Sequence, residues 1–518
     1  MDLIIKLVML VAFFSVTVGI GLYCRKHATD VNGFVLGGRS VGPWLTAFAY
    51  GTSYFSAVVF VGYAGQFGWK YGIAATWAGI GNALIGSLMA WAILGRRTRV
   101  MTQHLSSATM PQFFCERFKS PALKIASSAI IFIFLIPYTA SLYNGLSRLF
   151  GMAFELDYSV CVIAMAVLTA VYVIAGGYMA TAINDFVQGV IMIIGIIAVI
   201  GAVLKGQGGF LAALDNLGRV SDSAVSSTPG VFASFFGPDP VNLLGVVILT
   251  SLGTWGLPQM VQKFYAIKSE QAISKGLIIS TIFAAIVAGG CYFLGGFGRL
   301  FADQVDVASQ GYDAIIPAML SGLSPFLISV VVILVLSASM STLSSLVLTS
   351  SSTLTLDFIK GSIVKDMDEK KQLLTMRALI VVFILISVVL AIVQYTSNVT
   401  FIAQLMGVSW GALAGAFLAP FLFGLYWKKT TAASVWVSFL FSCIVMLCNI
   451  FFKSIFPPIL RSPINAGALC MLAGLVLVPV VSLFTPKLPK AHLDYVFSCY
   501  ERKVTVSVTD SIGDHQEN

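Results

Sequence analysis

Charge is the scarcest property of this sequence. Only 10% of its 518 residues are charged, whereas 58% are hydrophobic and the mean hydropathy is +0.91. Soluble domains carry about a quarter of charged residues, so this composition excludes a water-soluble protein. About thirteen apolar runs are long enough, or nearly so, to cross a bilayer as helices, and they lack the alternation of barrel strands. The sequence therefore predicts an all-α polytopic protein of the plasma membrane with about 13 transmembrane helices.

Residues and motifs that serve catalysis are equally scarce. The sequence holds neither His-Glu-x-x-His nor Gly-x-x-x-x-Gly-Lys, and its eight cysteines show no paired spacing. We therefore expect no enzyme, no organic cofactor, and no metal other than a coupling ion. The four histidines all fall in predicted loops or tails: His27, His104, His492 and His515.

The distribution of basic residues predicts the orientation of the chain. With the N-terminus outside, roughly three quarters of the 31 Lys and Arg residues, Lys263 among them, fall in inner segments. Thirteen spans then place the C-terminus inside, and the net charge of +9 reflects contact with inner lipid, not nucleic-acid binding. We expect a single transmembrane domain over residues 1–485 and a polar, largely unstructured cytoplasmic tail over residues 486–518. An outer loop from Gly206 to Pro240 is expected to carry a small helix.

Two predicted spans contain helix-breaking residues. Residues 49–56 read Ala-Tyr-Gly-Thr-Ser-Tyr-Phe-Ser, and residues 253–258 read Gly-Thr-Trp-Gly-Leu-Pro. Such residues free backbone carbonyl groups, which need a partner at membrane depth. Packing glycines and a proline kink explain either break alone. Two breaks five spans apart favour two five-helix repeats of inverted topology, at about 42–205 and 241–427.

Hydroxyl side chains are concentrated in a stretch without formal charge between Asp313 and Asp357. On a helix, Ser341, Thr342 and Ser345 share one face with Ala338 by their spacing. Hard cations bind such neutral oxygens. Serines that allow close packing and bond back to the preceding turn are the alternative.

Five oxygen atoms suffice for a sodium site, because sodium prefers roughly five or six hard oxygen ligands. The predicted ligands are the carbonyl oxygens of Thr52, Phe55 and Ala338 and the hydroxyls of Ser341 and Thr342.

Asp185 is the one acid that the span assignment directs into the helix bundle. A carboxylate within the membrane is expensive and therefore a functional candidate. A solvated residue that caps span six is the alternative.

Three motifs carry a resemblance to a known family. Residues 34–40 read Phe-Val-Leu-Gly-Gly-Arg-Ser, residues 176–180 read Gly-Gly-Tyr-Met-Ala, and residues 340–344 read Met-Ser-Thr-Leu-Ser. With Asp185 and Gln188, they resemble the sodium:solute symporter family over about residues 3–485. The resemblance implies a LeuT-type fold and sodium-driven uptake of a small organic solute. It places the main sodium site on the same five residues, and a second sodium site on Asp185, Ser341, Ser344 and Ser345.

The solute is less defined than the ion. The flanking motifs resemble the proline and pantothenate types of the family, and Tyr138 matches a tyrosine of the proline type. Thr250 and Thr254 replace aromatic residues of that type, Tyr54 replaces its aspartate, and Trp255 before Gly256 resembles sugar-transporting members. No basic residue is expected at mid-depth in spans two, three, four or seven, which favours a small neutral or zwitterionic solute. The candidate solute-binding residues are Ser53, Ser56, Asn82, Tyr138, Thr254, Trp255 and Gln259.

The sequence leaves other transport functions open. An amino acid such as proline is the first candidate solute, and a sugar or a pantothenate-like vitamin is the alternative. An ion channel is the alternative of another class, although inverted broken helices suit alternating access better than a permanent pore.

Overall fold

A computed structural model describes residues 2–53, 55–154, 157–364, 366–397 and 402–501. Over these residues the chain is helical, and β-structure is limited to isolated bridges, Val41 with Ile267 and Asp222 with Ser226. Ten of the described helical segments are long and apolar enough to cross a membrane, or eleven if one bent pair counts as a span. The predicted all-α membrane architecture is confirmed.

Most of the long helices follow one another with short connections, whereas residues 207–239 and 296–324 form two longer connections that carry short helices. The long helices and their broken counterparts are Asp2–Tyr23, Pro43–Thr52, Val58–His104, Pro121–Phe154, Tyr158–Gly206, Pro240–Gly256, Pro258–Ala266, Glu270–Gly295, Pro325–Thr353, Glu369–Ser397, Ile402–Tyr426, Ala432–Phe451 and Pro463–Phe484. Shorter helices are Val31–Leu36, Met110–Phe118, Phe210–Arg219, Ile315–Ser321 and Lys490–Phe497.

Two of the helical segments are long enough to cross a bilayer twice. Val58–His104 has 47 residues and Tyr158–Gly206 has 49, whereas about 20 residues span the hydrocarbon core. Each contains a glycine with positive φ: Gly72 at 63° and Gly177 at 56°. A Cβ atom at Gly72 would lie 2.0 Å from a backbone oxygen of Phe232, so only glycine fits. Each glycine interrupts its segment, while the number of 13 spans and the positions of the termini stay predictions.

One helix, which we call the serine-rich helix (Pro325–Thr353), lies at the centre of the bundle. It begins after Ser324, whose hydroxyl accepts from the backbone N–H of Leu327, and Pro325 occupies its first turn. The segment Pro325–Ile363 is buried over 78% of its most apolar stretch, against 17% for Ile4–Lys26 near the N-terminus. The serine-rich helix packs against Pro121–Phe154 and Tyr158–Gly206. Its hydroxyls are therefore surrounded by protein.

Both predicted breaks are present. The helix Pro43–Thr52 ends at Thr52, and helical turns resume at Val58. The second break lies at Leu257, whose extended backbone (φ −77°, ψ 123°) is the conformation that a following proline favours. The helices on its two sides, Pro240–Gly256 and Pro258–Ala266, meet at a bend of 44°.

The chain before the first broken helix pairs with the chain after the second. The Val41 N–H donates to the Ala266 carbonyl at 3.3 Å, and the Lys268 N–H donates to the Val41 carbonyl at 3.0 Å. Arg39 adds a bond from Nη1 to the Tyr265 carbonyl at 3.1 Å. These bonds tie together the ends of both broken segments on the predicted cytoplasmic side.

The structure agrees with the sequence-based prediction for the outer loop and departs from it for the C-terminal tail. The predicted small helix in the outer loop is present as Phe210–Arg219. The expectation of an unstructured tail is wrong for the helix Lys490–Phe497, because its apolar Val496 and Phe497 are buried. The rest of the tail, residues 502–518, lies outside the described residues.

Candidate sodium and solute site

The five predicted oxygen ligands converge where the first break meets the serine-rich helix. Ser341 Oγ lies 2.9 Å from the carbonyl oxygen of Thr52 and 3.4 Å from that of Ala338. Thr342 Oγ1 lies 3.1 Å from the same Thr52 oxygen and 3.2 Å from the carbonyl oxygen of Phe55. It also lies 3.1 Å from the Ala338 oxygen. We call these residues the neutral cluster.

The neutral cluster fits a hard cation in both spacing and chemistry. Calcium, which has nearly the radius of sodium, binds oxygens at about 2.4 Å, and octahedral ligands at that distance lie about 3.4 Å apart. The observed separations of 2.9–3.4 Å are close to this value. Two hydroxyl protons face three carbonyl oxygens, so the cluster has more acceptors than donors. A cation can take up the unused lone pairs.

A second group of polar side chains meets the serine-rich helix one turn further along, at Ser344 and Ser345. Asp185 is fully buried on Tyr158–Gly206, and neither of its carboxylate oxygens has a hydrogen-bond partner. Ser345 Oγ is 3.0 Å from Ser53 Oγ, and Ser344 Oγ donates to the Ser341 carbonyl at 2.8 Å. A buried acceptor without a partner is costly. We call Asp185, Ser344, Ser345 and Lys263 the charged cluster.

Lys263 belongs to this cluster, and the sequence did not predict its place there. Its side chain is 2% exposed, and Nζ donates to Ser345 Oγ at 3.0 Å. The distance from Nζ to Asp185 Oδ2 is 3.8 Å, and Nζ lies 5.1 Å from the centre of the Tyr178 ring. The sequence assigned Lys263 to an inner segment without a role, whereas the structure buries its side chain on Pro258–Ala266, just after the second break. The missed signal is the polar pair Gln259 and Lys263, which share one helix face by their spacing.

Asp185 is also not the one acid within the bundle. Asp357 is fully buried and accepts from Thr109 Oγ1 at 2.6 Å. Asp313 is 5% exposed and accepts from the backbone N–H of Ile402 at 3.4 Å. Both acids flank the charge-free stretch of the sequence, but helix packing encloses them where the sequence suggested surface positions.

Three of the candidate solute residues bind other parts of the protein. Thr254 Oγ1 donates to the carbonyl of Gly86 at 2.9 Å, and Trp255 Nε1 donates to the carbonyl of Ile85 at 2.9 Å. Asn82 Oδ1 accepts from Ser251 Oγ at 3.4 Å. These contacts join Pro240–Gly256 to Val58–His104, so the structure brings Asn82, Thr254 and Trp255 together as an interhelical seam.

The remaining candidates lie near the breaks. Ser53 bonds Ser345 in the charged cluster, and Ser56 Oγ accepts from the backbone N–H of Val58 at 3.2 Å. Tyr138 is fully buried with its ring against Trp410 at 5.9 Å, and its hydroxyl makes no hydrogen bond. Gln259 is 1% exposed, and both polar atoms of its amide lack a partner. Buried groups of this kind are available to a ligand.

A polar cavity that the sequence did not predict lies beside the outer loop. Its volume is about 640 Å³, and its lining includes Lys70, Asp239 and Arg299. Arg299 donates to Asp222 at 2.9 Å, and this bond holds the pKa of the Asp222 carboxyl below its usual range. Outer-loop residues such as Asp222 and Asp239 line the cavity together with helix residues, so it depends on tertiary packing that periodicity does not reveal.

An all-helical membrane bundle with two broken helices and a buried oxygen cluster beside them defines a secondary transporter. The family model of the sodium:solute symporters matches residues 34–441. The sodium/proline symporters of Staphylococcus aureus strains JH9 and NCTC 8325 / PS 47 are each 32% identical over 437 residues, or 82% of both chains. A Na⁺-coupled sialic acid symporter, solved in a substrate-bound outward-open state, matches with a TM-score of 0.73. That match covers 93% of this chain and 98% of the other at 16% identity.

The chain belongs to the sodium:solute symporter family. It has the LeuT-type fold and is a multi-pass protein of the plasma membrane that couples sodium to the symport of a small solute.

Proposed function

We propose that this protein accumulates a small zwitterionic amino acid, with proline as the first candidate, by sodium symport. Two curated relatives at 32% identity are named sodium/proline symporters. The buried cation Lys263 is engaged with Asp185 and Ser345, so an anionic solute would lack a dedicated positive partner there. Half-helix ends and hydroxyls at the breaks suit the carboxylate of a zwitterion.

The neutral cluster is the observation that carries the proposal. Thr52, Phe55, Ala338, Ser341 and Thr342 hold the first sodium ion through three carbonyl and two hydroxyl oxygens. When the ion binds, the hydroxyl protons rotate towards other acceptors and the oxygens turn to the cation. The ion then joins the first break to the serine-rich helix, so its release loosens that junction.

The second sodium ion is assigned to Asp185, Ser341, Ser344 and Ser345. Each sodium that moves down a tenfold gradient contributes about 1.4 kcal/mol, plus about 2.3 kcal/mol per 100 mV. One ion then supports roughly 500-fold accumulation of a neutral solute, and two ions support roughly 10⁵-fold. The number of coupled sodium ions thus sets the lowest external solute concentration from which the protein can accumulate the solute.

The solute is assigned to the space between the breaks, where two buried polar groups lack protein partners. Gln259 supplies an amide and Tyr138 a hydroxyl, and both belong to the residues assigned to the solute. Ser53 and Ser56 add hydroxyls at the first break, while Asn82, Thr254 and Trp255 form the facing wall. A zwitterion supplies both a donor and an acceptor to such a set.

Uptake into proteoliposomes tests the proposal. Vesicles with an inward sodium gradient are offered labelled proline, pantothenate or a hexose, and matched vesicles receive an equal potassium gradient. We expect saturable proline accumulation that needs sodium. Accumulation of pantothenate or the hexose instead would contradict the solute, and an unsaturable current without accumulation would contradict symport.

A further inference from the structure

Lys263 is a positive charge placed where the second sodium ion is assigned. Its Nζ bonds Ser345 Oγ at 3.0 Å and lies 3.8 Å from Asp185 Oδ2. Both of these partners belong to the proposed second sodium site. A sodium ion bound to the same two side chains would lie within a few ångströms of the ammonium, and like charges at that separation repel strongly in a buried setting. The ammonium and the ion therefore exclude each other.

The contact between Lys263 and Asp185 is loose enough to be exchanged. At 3.8 Å the ammonium is beyond hydrogen-bond range, and both carboxylate oxygens of Asp185 stay without a hydrogen bond although the residue is fully buried. A permanent buried ion pair is normally closed by direct hydrogen bonds. The carboxylate thus retains the full acceptor capacity that a sodium ion uses.

The lysine also has a route away from the carboxylate. Its four-carbon stem is flexible, and it projects from the nine-residue helix Pro258–Ala266, which follows the break at Leu257. Gln259, which is assigned to the solute, lies one turn before Lys263 on the same helix face. A shift of this short helix moves both residues, so withdrawal of the ammonium is linked to the solute side of the bundle.

We propose that Lys263 is an internal competitor of the second sodium ion, which binds Asp185 and Ser345 only after the ammonium has left them. This inference rests on the proposed function, because it concerns the second ion of that symport. It assigns Lys263 the role of a residue that sets the affinity for the ion without binding the ion itself.

Sodium binding to the purified, solute-free protein tests the inference without a transport assay. Labelled sodium is titrated onto the wild type, Lys263→Met, Lys263→Arg and the double variant Asp185→Asn/Lys263→Met. We expect Lys263→Met to bind the second ion about tenfold more tightly or better, a size typical of coupled sites. Lys263→Arg should bind it no better than the wild type, because the charge is retained, and the double variant should bind one ion.

The controls distinguish a failure of the proposed competition from a failure of the proposed sodium symport. Lys263→Gln keeps a bond to Ser345 and replaces Lys263→Met if that variant does not fold. An unchanged or weaker isotherm in the neutral variants, with sodium still bound by the wild type, overturns the competition alone. A wild-type protein that binds no sodium overturns the proposed function and the inference together.

Discussion

The neutral cluster and the charged cluster share the serine-rich helix, where their hydroxyl residues lie one turn apart, but the polar groups of the two clusters are satisfied differently. In the neutral cluster, hydroxyls of Ser341 and Thr342 already bond the carbonyl oxygens that would bind an ion. In the charged cluster, the Asp185 carboxylate makes no hydrogen bond and faces the Lys263 ammonium at 3.8 Å. Without a cation, the neutral cluster therefore loses little stability, because its hydroxyls and carbonyls bond each other. The charged cluster contains a buried carboxylate that a positive charge stabilises, from lysine in this structure or from sodium in the proposed bound state.

This difference shows which cluster tolerates substitution. Removing a hydroxyl from the neutral cluster deletes a weak, internally satisfied bond, worth about 0.5–1.5 kcal/mol. Removing one charge from a buried pair leaves the other uncompensated, at a cost of about 3–5 kcal/mol. Substitutions in the neutral cluster should therefore change the affinity for sodium, whereas substitutions in the charged cluster should also change the stability of the protein.

The largest expected effect belongs to Asp185→Asn. This change leaves the Lys263 ammonium buried without an opposite charge, so stability should fall by about 3 kcal/mol or more. The melting temperature of the purified protein in detergent measures the loss. The double variant Asp185→Asn/Lys263→Met removes both charges and should recover most of it. Equal melting temperatures for the wild type and Asp185→Asn would show that the two clusters do not differ in this way.

A smaller effect, confined to ion binding, is expected for Thr342→Val. Valine keeps the shape of threonine but removes the hydroxyl that lies within 3.2 Å of three carbonyl oxygens. Half-saturation of uptake by sodium should need about tenfold more ion, or about 1.4 kcal/mol, with a melting temperature close to that of the wild type. Thr353→Val is the matched control, because the Thr353 hydroxyl bonds only carbonyls of its own helix in the described structure. If the two variants need equal sodium concentrations for half-maximal uptake, the assignment of Thr342 to the sodium site is contradicted.

The clusters also show what the sequence can and cannot reveal. The neutral cluster was predictable because helical spacing places Ser341 and Thr342 on one face, and glycine marks the break that frees the Thr52 carbonyl. The burial of Lys263 was not predictable, since a single lysine five residues after a proline is typical of the end of a span. Its burial depends on how the short helix packs against Arg96–His104, Pro43–Thr52 and the serine-rich helix, which is a tertiary property. The outer cavity was missed for the same reason.

The smallest effect is expected for a change at Ser344, the residue of the charged cluster that bonds to the neutral cluster. The Ser344 hydroxyl donates to the Ser341 carbonyl at 2.8 Å, so it reads either as a ligand of the second ion or as a bond within the helix. Ser344→Ala should lower the affinity for the second sodium ion about threefold. It should also lower the Hill coefficient of sodium-dependent uptake from about two towards one. Ser352→Ala is the matched control, since Ser352 makes the same kind of bond to Thr349 at 3.1 Å on the same helix. If both variants keep the wild-type coefficient, Ser344 is a structural residue and the second ion depends on Asp185, Ser341 and Ser345.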